Sequence, residues 1–323
     1  MSLEGKNVLV VGAGISGLMV ATRLQQSGAK VKIVEKGRGF GGRMATRRME
    51  GARLDHGAQF VTVRSEEFGS WIKKWKASGT IQEWFRRAPW DSSPEEHPRY
   101  CGVSGMTDIP KALAADLDVD RSVRLTGTEW STEGWRAHSE SGEIYESDIL
   151  ILTAPVPQSV DLLRGSGISL SQEDWDGLCG IDYDPCLSGL LILDGPSGIP
   201  EPGAMKLQEG CLVWIGDNSR KGISPDVSAV TVHSTPDFAR RYWDVPNEER
   251  LPLLQQAAEP YLSAKIVSGA VHRWRFNVPL SFWKSDFFWD ESFSLGLAGD
   301  AFGGARVEAA ALSGWALGSH LRG

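Results

Sequence analysis

Three glycines stand where a short apolar run meets a helical pattern, and their spacing is typical of phosphate binding. Gly12, Gly14 and Gly17 directly follow the apolar residues 8–11. In such a unit the first glycine makes a tight turn, the second lets the backbone approach a pyrophosphate, and the third lets the helix pack on the sheet. The helix N-terminus offers unpaired N–H groups and a partial positive charge to the phosphates.

An acidic residue completes the pattern. Asn7–Val11 is predicted to be a buried strand, the following helix is predicted to end at Gly28, and Lys30–Glu35 is predicted to be a second strand. Glu35 lies 23 residues after Gly12, where a carboxylate accepts hydrogen bonds from adenosine ribose hydroxyls and disfavours a 2′-phosphate. The βαβ unit therefore predicts a dinucleotide site, but by itself it leaves FAD and NAD open.

Two further glycine-rich segments favour FAD. Gly42 and Arg43 follow the acid, and the guanidinium could make a bidentate contact with a pyrophosphate. Near the other end of the chain, an apolar strand ends at Gly299 and Asp300, where the carboxylate could accept from a ribityl hydroxyl. The helix N-terminus at 306–308 would face the flavin pyrimidine edge, where negative charge develops on reduction. A nicotinamide dinucleotide has no use for this second site, so we predict FAD.

Five segments spread over nearly the whole chain resemble the renalase-like branch of the flavin amine-oxidase superfamily. They are GRGFGGRMATRR, LDHGAQFVTVRS, HPRYCGVSGMTDIPKALA, HRWRF and GDAFGGARVEAAALSG. The resemblance implies noncovalent FAD, with residues 55–60 approaching the isoalloxazine ring. It also implies that Val123, in a predicted strand Arg121–Thr126, meets the adenine through its backbone. The predicted cofactor contacts are Gly12, Gly14, Ile15, Ser16, Gly17, Glu35, Lys36, Gly42, Arg43, Met44, Ala58, Gln59, Phe60, Val123, Gly299, Asp300, Arg306 and Val307.

The predicted fold class is α/β: a Rossmann-type FAD-binding domain of the glutathione-reductase type, with a second, mainly antiparallel α+β substrate domain. The FAD-binding domain is predicted to be discontinuous, and its parts are 1–63, 101–160 and 291–323. The substrate domain is predicted to comprise 64–100 and 161–290.

The hydrophobic patterns predict further elements in both domains. Residues 148–155 are predicted to form a strand that returns to the FAD sheet, and 65–77 and 105–117 are predicted to be helices. The substrate domain is predicted to form an antiparallel sheet that covers the flavin, with strands at 188–194, 211–217, 228–234 and 266–276 and helices at 236–243 and 247–264.

The candidate catalytic residues come from these strands: Asn218, His233 and Arg275. Asn218 could orient a carboxamide or serve as a turn residue. His233 could donate a hydrogen bond to substrate, act as a base, or be a satisfied residue at a strand end. One arginine of the Arg273 and Arg275 pair is expected to face inward by strand alternation, where it could meet a substrate phosphate or an acidic neighbour.

Composition excludes several other classes. The chain has 34 basic and 41 acidic residues, a formal charge of −7, and no basic tract, which argues against nucleic acid or an anionic membrane as the main partner. The six histidines lack metal-ligand spacing and the four cysteines form no C-x-x-C pair, so we expect no metal and reduced thiols. The 13 tryptophans are expected in the core or around an aromatic cavity. With no transmembrane pattern, we expect a cytoplasmic protein.

The resemblance also implies an activity. It predicts an FAD-dependent oxidase that takes a hydride from a small dihydronicotinamide-type molecule onto flavin N5 and is reoxidised by O2 to give H2O2. The alternatives are an amine oxidase or desaturase of the same superfamily and a flavin-binding protein without turnover. The amine oxidases of this superfamily use a lysine that holds a water near N5, and here Lys206 and Lys284 are weak candidates for it.

Overall fold

The computed structural model describes residues 3–91 and 96–322, which fall into two compact units. The first unit consists of Met1–Gly42, Pro110–Tyr183 and Pro279–Gly323, and the second of Arg43–Ile109 and Asp184–Val278. Both units are discontinuous, as the predicted domains are. They group 43–63 and 101–109 with the second unit and 161–183 and 279–290 with the first, where the sequence suggested the reverse. The domain boundaries stay a prediction.

The described residues form eighteen strands, nine α-helices and two short 3-10 helices. The strands are β1 (Asn7–Val11), β2 (Lys30–Glu35), β3 (Thr46–Met49), β4 (Ala52–Asp55), β5 (Ile81–Phe85), β6 (Arg99–Gly102), β7 (Asp118–Arg121), β8 (Leu125–Ser131), β9 (Gly134–Ser139), β10 (Ile144–Ser147), β11 (Ile149–Leu152), β12 (Tyr183–Leu193), β13 (Ala204–Lys206), β14 (Leu212–Asp217), β15 (Ala229–Ser234), β16 (Ile266–Pro279), β17 (Phe288–Asp290) and β18 (Leu295–Leu297). The helices are α1 (Ile15–Gln25), α2 (Glu66–Ala77), α3 (Asp108–Ala114), α4 (Val156–Leu163), α5 (Gln172–Cys179), α6 (Pro236–Arg241), α7 (Asn247–Ala258), α8 (Asp300–Gly303) and α9 (Val307–Arg322), and the 3-10 helices are Gly42–Met44 and Glu259–Tyr261.

The first unit contains a six-stranded sheet in the order β17-β18-β11-β1-β2-β7. All neighbours are parallel except β17 with β18. Strand β1 is central, and its apolar residues are buried, as expected of a parallel strand covered on both faces. The predicted strands β1 and β2 are confirmed, as is the return of β11 to this sheet. The carboxyl ends of β1, β2, β11 and β18 therefore lie along one edge, where ligands of such folds bind.

Helices α1 and α9 of the same unit pack closely because the contact positions on α9 are glycines, which have no side chain. A Cβ on Gly314 would lie 2.1 Å from the backbone oxygen of Ser16. A Cβ on Gly318 would lie 2.8 Å from the Cβ of Arg23. The close packing holds the N-terminal turn of α1 against α9 and fixes the start of α1 at the carboxyl edge of the sheet.

The second unit contains a five-stranded sheet in the order β13-β14-β15-β12-β16. The pairs β13/β14, β14/β15 and β12/β15 are antiparallel. Side chains of β12 alternate between two apolar clusters, as the period of a strand requires. Leu187 and Leu191 pack with Leu254 of α7, whereas Leu190 packs with Leu54 of β4. One face of the sheet is thus covered by helices, and the other carries the chain that leads into residues 55–60.

Several predicted elements differ in extent from the structure, among them three around Val123, Pro260 and α3. Val123 is not in a strand, because β7 ends at Arg121, Ser122 has a positive φ of 62°, and the backbone N–H of Val123 donates to the Glu35 carbonyl. The predicted helix 247–264 ends at Ala258, since Pro260 in the next turn has no N–H to continue the ladder. The predicted helix 105–117 is limited to α3, Asp108–Ala114.

Candidate active site

The glycine-rich turn after β1 combines close packing at one glycine with open space at another. Gly12 has a φ of 109°, which a residue with a side chain rarely adopts. A Cβ on Gly17 would lie 2.0 Å from the Gly12 carbonyl oxygen, so this position must lack a side chain for the helix to approach the strand. A Cβ on Gly14 would meet nothing within 4 Å. The geometry leaves room beside Gly14 for a group that approaches the backbone.

Glu35 ties this turn to the end of β2. Its buried carboxylate accepts hydrogen bonds from the backbone N–H of Ala13 at 2.8 Å and of Gly37 at 2.6 Å, one on each oxygen. Each oxygen keeps a further lone pair that a ribose hydroxyl could use. At the start of α1, the buried hydroxyl of Ser16 has no hydrogen-bond partner among the described residues. These features fit an adenosine ribose and a phosphate, and they could hold the adenosine diphosphate part of a dinucleotide.

The other predicted cofactor contacts of the first unit are more varied. Lys36 is exposed and its ammonium donates to the Gln158 side chain at 2.7 Å. Gly299 follows β18 with a φ of 154°, and a Cβ there would meet nothing within 4 Å. Asp300 is buried and begins α8. The carboxyl end of β18 is therefore followed by a glycine with free space beside its Cα and by a buried carboxylate.

The second glycine-rich turn of the C-terminal segment leads into α9. The helix begins at Val307, which confirms the prediction of a helix start at 306–308. Arg306 is exposed, and Val307 is partly buried. Small residues follow in the first turns of α9, where Ala309, Ala310 and Ala311 are buried.

In the second unit, Arg43 is anchored by its own backbone and by carbonyl groups. Its guanidinium donates to the carbonyl oxygens of Phe276 at 3.3 Å and Asn277 at 3.1 Å. Its own carbonyl accepts from the backbone N–H of Ala58 at 2.8 Å. A Cβ on Gly57 would lie 2.0 Å from that carbonyl oxygen. The turn around Arg43 therefore fixes the position of residues 57–58, and the neighbouring Met44 is buried.

A row of side chains crosses the sheet of the second unit. Ser188 of β12 is paired in register with His233 of β15, and His233 is paired with Trp214 of β14. Residues opposite one another on neighbouring strands project to the same face. The hydroxyl of Ser188 donates to the His56 carbonyl at 2.6 Å, and the indole N–H of Trp274 on β16 donates to the same oxygen at 2.7 Å. This row holds residues 55–60 on the face opposite the helices.

Three histidines in this region are neutral at pH 7. Burial lowers the pKa of His56 to about 3, with repulsion from His272, Arg47 and His233 acting in the same direction. Burial lowers the pKa of His233 to about 4, opposed by its hydrogen bond to the backbone of His56. Burial also lowers the pKa of His272 to about 4. Imidazoles with such pKa values are weak bases at pH 7 and serve as neutral hydrogen-bonding groups.

The other two catalytic candidates make different contacts. The Asn218 amide is buried; its oxygen accepts from the backbone N–H of Asp55 at 3.2 Å and its nitrogen donates to the Thr231 hydroxyl at 3.0 Å. The expectation that one of Arg273 and Arg275 faces inward is wrong. Both are exposed, because residues two apart on a strand project to the same face and the inward face here carries Trp274.

A buried ion pair was not anticipated from the sequence. The ammonium of Lys221 and the carboxylate of Asp55 lie 2.6 Å apart, and their side chains are 1% and 0% exposed. The other oxygen of Asp55 accepts from the Thr46 hydroxyl at 2.6 Å and from the backbone N–H of Met106 at 2.8 Å. The ammonium also lies 4.9 Å from the ring centroid of Trp84. No spacing in the sequence links positions 55 and 221.

The two lysines considered for holding a water near flavin N5, Lys206 and Lys284, do not lie in this buried region. Lys206 and Lys284 are exposed, and Lys284 forms an ion pair with Glu173 at 2.8 Å. Lys221, four residues after the strand that ends at Asp217, is the buried lysine of the second unit. Its position in a polar loop gives no periodic signal that could have marked it.

Five aromatic side chains contact one another beside the row. Ring centroids are 5.8 Å apart for Phe60 and Trp214, 5.9 Å for Phe60 and Phe85, and 5.5 Å for Trp90 and Trp214. Trp84 completes the set, 6.4 Å from Phe60. We call Phe60, Trp84, Phe85, Trp90 and Trp214 the aromatic cluster. The abundance of tryptophan predicted an aromatic core or cavity, and the fold selects which rings meet.

Four buried polar atoms near the row and the aromatic cluster have no hydrogen-bond partner among the described residues. They are Nδ1 of His56, Oε1 of Gln59, Nε1 of Trp214 and Nε2 of His233. Buried polar atoms in folded proteins nearly always have a partner. Their concentration in one neighbourhood is the arrangement expected where a polar ligand binds. Within 3–91 and 96–322, no group of three or more His, Cys, Asp or Glu is placed to hold a metal ion.

Two family models match successive parts of the chain. Residues 10–75 match the model of an NAD(P)-binding Rossmann-like domain, and residues 65–316 match that of the flavin containing amine oxidoreductases. Mouse (Mus musculus) renalase is 22% identical over 289 residues, which is 84% of this chain and 84% of that protein. This match confirms the resemblance to the renalase-like branch. Across the described part of the chain, no helix has the length and apolar character needed to cross a membrane.

Solved structures share the fold at low identity. A putative protoporphyrinogen oxidase from Exiguobacterium sp. 255-15 superposes with a TM-score of 0.76 at 12% identity, covering 99% of both chains. Putrescine oxidase bound to putrescine superposes with a TM-score of 0.71 at 14% identity, covering 98% of this chain and 99% of that one. The family model covers well over half of the sequence, so this chain belongs to the flavin containing amine oxidoreductases and is an FAD-dependent oxidoreductase of mixed α/β fold with a Rossmann-like domain.

Proposed function

We propose that this protein oxidises a dihydronicotinamide-type molecule and passes the electrons to O2. The substrate loses a hydride, which is one proton with two electrons, and becomes an oxidised pyridinium. O2 takes the two electrons, the proton of the hydride and a second proton from solvent, and becomes H2O2. Bound FAD supplies the hydride acceptor between these two half-reactions. The protein then has to bind FAD, position a flat substrate and keep unpaired charged side chains away from that substrate.

The observation that carries this proposal is the set of four unpartnered polar atoms beside the aromatic cluster. They belong to neutral groups, since the pKa values of His56 and His233 are lowered to about 3 and 4. The nearby cation of Lys221 is neutralised by Asp55. Neutral polar groups and aromatic rings suit a flat, uncharged heterocycle that carries hydrogen-bonding substituents. Hydride removal from such a ring needs no protein base, which agrees with histidines that stay neutral at pH 7.

We further propose how the chain holds its cofactor. The Glu35 carboxylate accepts hydrogen bonds from the adenosine ribose, and the Asp300 carboxylate accepts them from the ribityl chain. The Ser16 hydroxyl and the backbone at Gly14 contact the pyrophosphate. The binding is noncovalent, in an FAD-binding domain of the glutathione-reductase type, and the mainly antiparallel sheet of the second unit belongs to the substrate domain. Buried Ser16 without a partner and the open space beside Gly14 support this arrangement.

Anaerobic mixing tests the proposed reaction. The FAD-loaded protein is mixed with dihydronicotinamide dinucleotide isomers, and the visible flavin absorbance is followed. We expect bleaching within seconds, and one H2O2 per substrate when O2 is admitted. If none of the isomers bleaches the flavin, the proposal is refuted.

The same experiment separates the two alternatives. A parallel panel of amines should include putrescine, because the fold matches putrescine oxidase. Bleaching by amines with indifference to dihydronicotinamides would identify an amine oxidase. Retained FAD that no donor reduces would identify a flavin-binding protein without turnover.

A further inference from the structure

The amide of Gln59 is held in one orientation. Its nitrogen donates to the carbonyl oxygens of Asp55 at 2.7 Å and Gly57 at 3.1 Å, which uses both N–H groups. Rotating the amide by half a turn would place its oxygen against those two carbonyl oxygens, so the network selects the observed orientation. Oε1 therefore points away from the Asp55–Gly57 backbone and is left as a buried acceptor without a partner among the described residues.

The indole N–H of Trp214 is a matching donor. It is buried, has no acceptor in the described part of the chain, and can only donate. Both atoms lie close to Gly216 of β14: a Cβ on Gly216 would lie 2.8 Å from Nε1 of Trp214 and 3.2 Å from Oε1 of Gln59. Since both distances are measured from one point, the donor and the acceptor lie at most about 6 Å apart. They are not bonded to one another.

We propose that Gln59 and Trp214 together recognise the primary carboxamide of the substrate. Oε1 of Gln59 accepts from the amide NH2, and Nε1 of Trp214 donates to the amide carbonyl. A primary carboxamide presents an N–H donor and a C=O acceptor side by side, and this pair complements one acceptor and one donor. The rings of Phe60 and Trp90 contact Trp214 and offer flat surfaces for the heterocycle that bears the amide. This inference rests on the proposed function and names the substrate group that the site reads.

The assignment is compatible with the resemblance, which places Gln59 near the cofactor. A hydride donor must approach the flavin ring to about 3–3.5 Å, so a residue near the ring can also contact the substrate. The flavin ring itself carries an N–H beside a carbonyl, and contact with that edge is the competing outcome. The experiment has to separate these two occupants.

Ligand pairs test the inference without turnover. Calorimetric titration of the FAD-loaded protein compares NAD+ with its 3-acetylpyridine analogue, which keeps the carbonyl and lacks the NH2. We expect NAD+ to bind about tenfold more tightly, the usual value of one neutral hydrogen bond inside a protein. Equal affinities, or no binding of either ligand at millimolar concentration, would overturn the inference.

Variants assign the two atoms separately. In Gln59→Met the acceptor is lost, so NAD+ should fall to the affinity of the acetyl analogue, whose own affinity stays unchanged. In Trp214→Phe the donor is lost, so both ligands should weaken by the same factor and the ratio should persist. The matched control is Gln82→Met, because Gln82 also donates to a backbone carbonyl, that of Lys221 at 3.2 Å, and it should leave the ratio unchanged.

Two further measurements separate the outcomes. If Gln59→Met lowers FAD content or shifts the flavin spectrum while the ligand ratio stays as in the unmodified protein, Gln59 serves the cofactor and the inference falls. If dihydronicotinamides bleach the flavin at the same rate with carboxamide or acetyl substituents, the inference falls and the proposed function stands. If NAD+ keeps its tenfold preference but no isomer bleaches the flavin, the proposed function falls and the carboxamide site stands. The ligand ratio of the unmodified protein is decisive even if a variant fails to fold.

Discussion

The proposed nucleotide site of the first unit is built mainly from backbone, whereas the polar neighbourhood of the second unit is built from side chains. Gly12, Gly14 and Glu35 belong to one continuous βαβ segment, and two of them act through the shape of the main chain. Ser188, His233 and Trp214 meet because three strands are paired in a particular register. A site built from backbone can be predicted from the spacing of residues that are close together in the sequence. A site built from side chains depends on which strands are neighbours.

The units also differ in how they place charge. The second unit buries the Asp55 and Lys221 pair completely. In the first unit, the ammonium of Lys32 lies 2.8 Å from the carboxylates of both Asp118 and Asp120, but these side chains are between 34% and 68% exposed. Desolvation makes a broken buried pair far more costly than a broken surface pair. The predictions below test these two contrasts.

The largest effect is expected at the buried ion pair. Lys221→Met leaves the Asp55 carboxylate buried without its cation and should lower the free energy of unfolding by about 3–5 kcal/mol. Denaturant titration measures this loss. Lys32→Met, the control on the surface pair, should cost less than about 1 kcal/mol. The double variant Asp55→Asn/Lys221→Met should recover part of the loss, and a similar small cost for both lysines would break the contrast.

A smaller effect is expected at the glycine turn of the first unit. Gly17→Ala puts a Cβ 2.0 Å from the Gly12 carbonyl oxygen and should destabilise the apoprotein by about 1–3 kcal/mol. Gly14→Ala meets nothing within 4 Å, so the apoprotein should melt at an unchanged temperature. Its affinity for FAD should nevertheless fall at least about tenfold, because the Cβ occupies the approach of the pyrophosphate. Thermal melts with and without FAD would measure both, and equal melting of the two apoproteins would contradict the assignment.

The effect that is smallest near neutral pH is a dependence of stability on pH, which grows as the pH falls. The folded pKa values of His56, His233 and His272 are about 3, 4 and 4, below the ordinary value of 6.5. As pH falls below 6.5, the unfolded chain takes up protons first, so stability is complete above 6.5 and is lost progressively down to about pH 4. Because one unit of pKa difference corresponds to about 1.4 kcal/mol per group, we expect the three histidines together to cost about 2 kcal/mol between pH 7 and pH 6, and more as the pH falls further.

The variant His233→Gln should reduce the slope of this loss, because glutamine does not titrate. The control is His138→Gln, since His138 lies in the first unit and is partly exposed. Denaturant titrations between pH 4 and 7 give the slopes. An unchanged slope in His233→Gln would show that the buried imidazole is not the group that titrates.

Local spacing in the sequence was enough to predict the elements of the proposed nucleotide site. Strands β1 and β2, the turn at Gly12–Gly17 and the start of α9 could be predicted because each depends on neighbours a few residues away. Backbone conformation follows from local residue types: glycine where φ is positive, apolar runs where a strand is buried. The family motifs, which span most of the chain, added the cofactor FAD.

The surroundings of the second unit's polar atoms depend on contacts between segments that are far apart in the sequence. Lys221 pairs with Asp55 across 166 positions, and Trp214 and Gln59 face the same space although no spacing links them. The sequence suggested an inward arginine in β16, but the sheet turns Trp274 inward and leaves Arg275 exposed. Alternation says which residues share a face, whereas strand order and the chain packed on the sheet determine which face is buried. That choice is made by the whole fold, because it depends on the total apolar area removed from water.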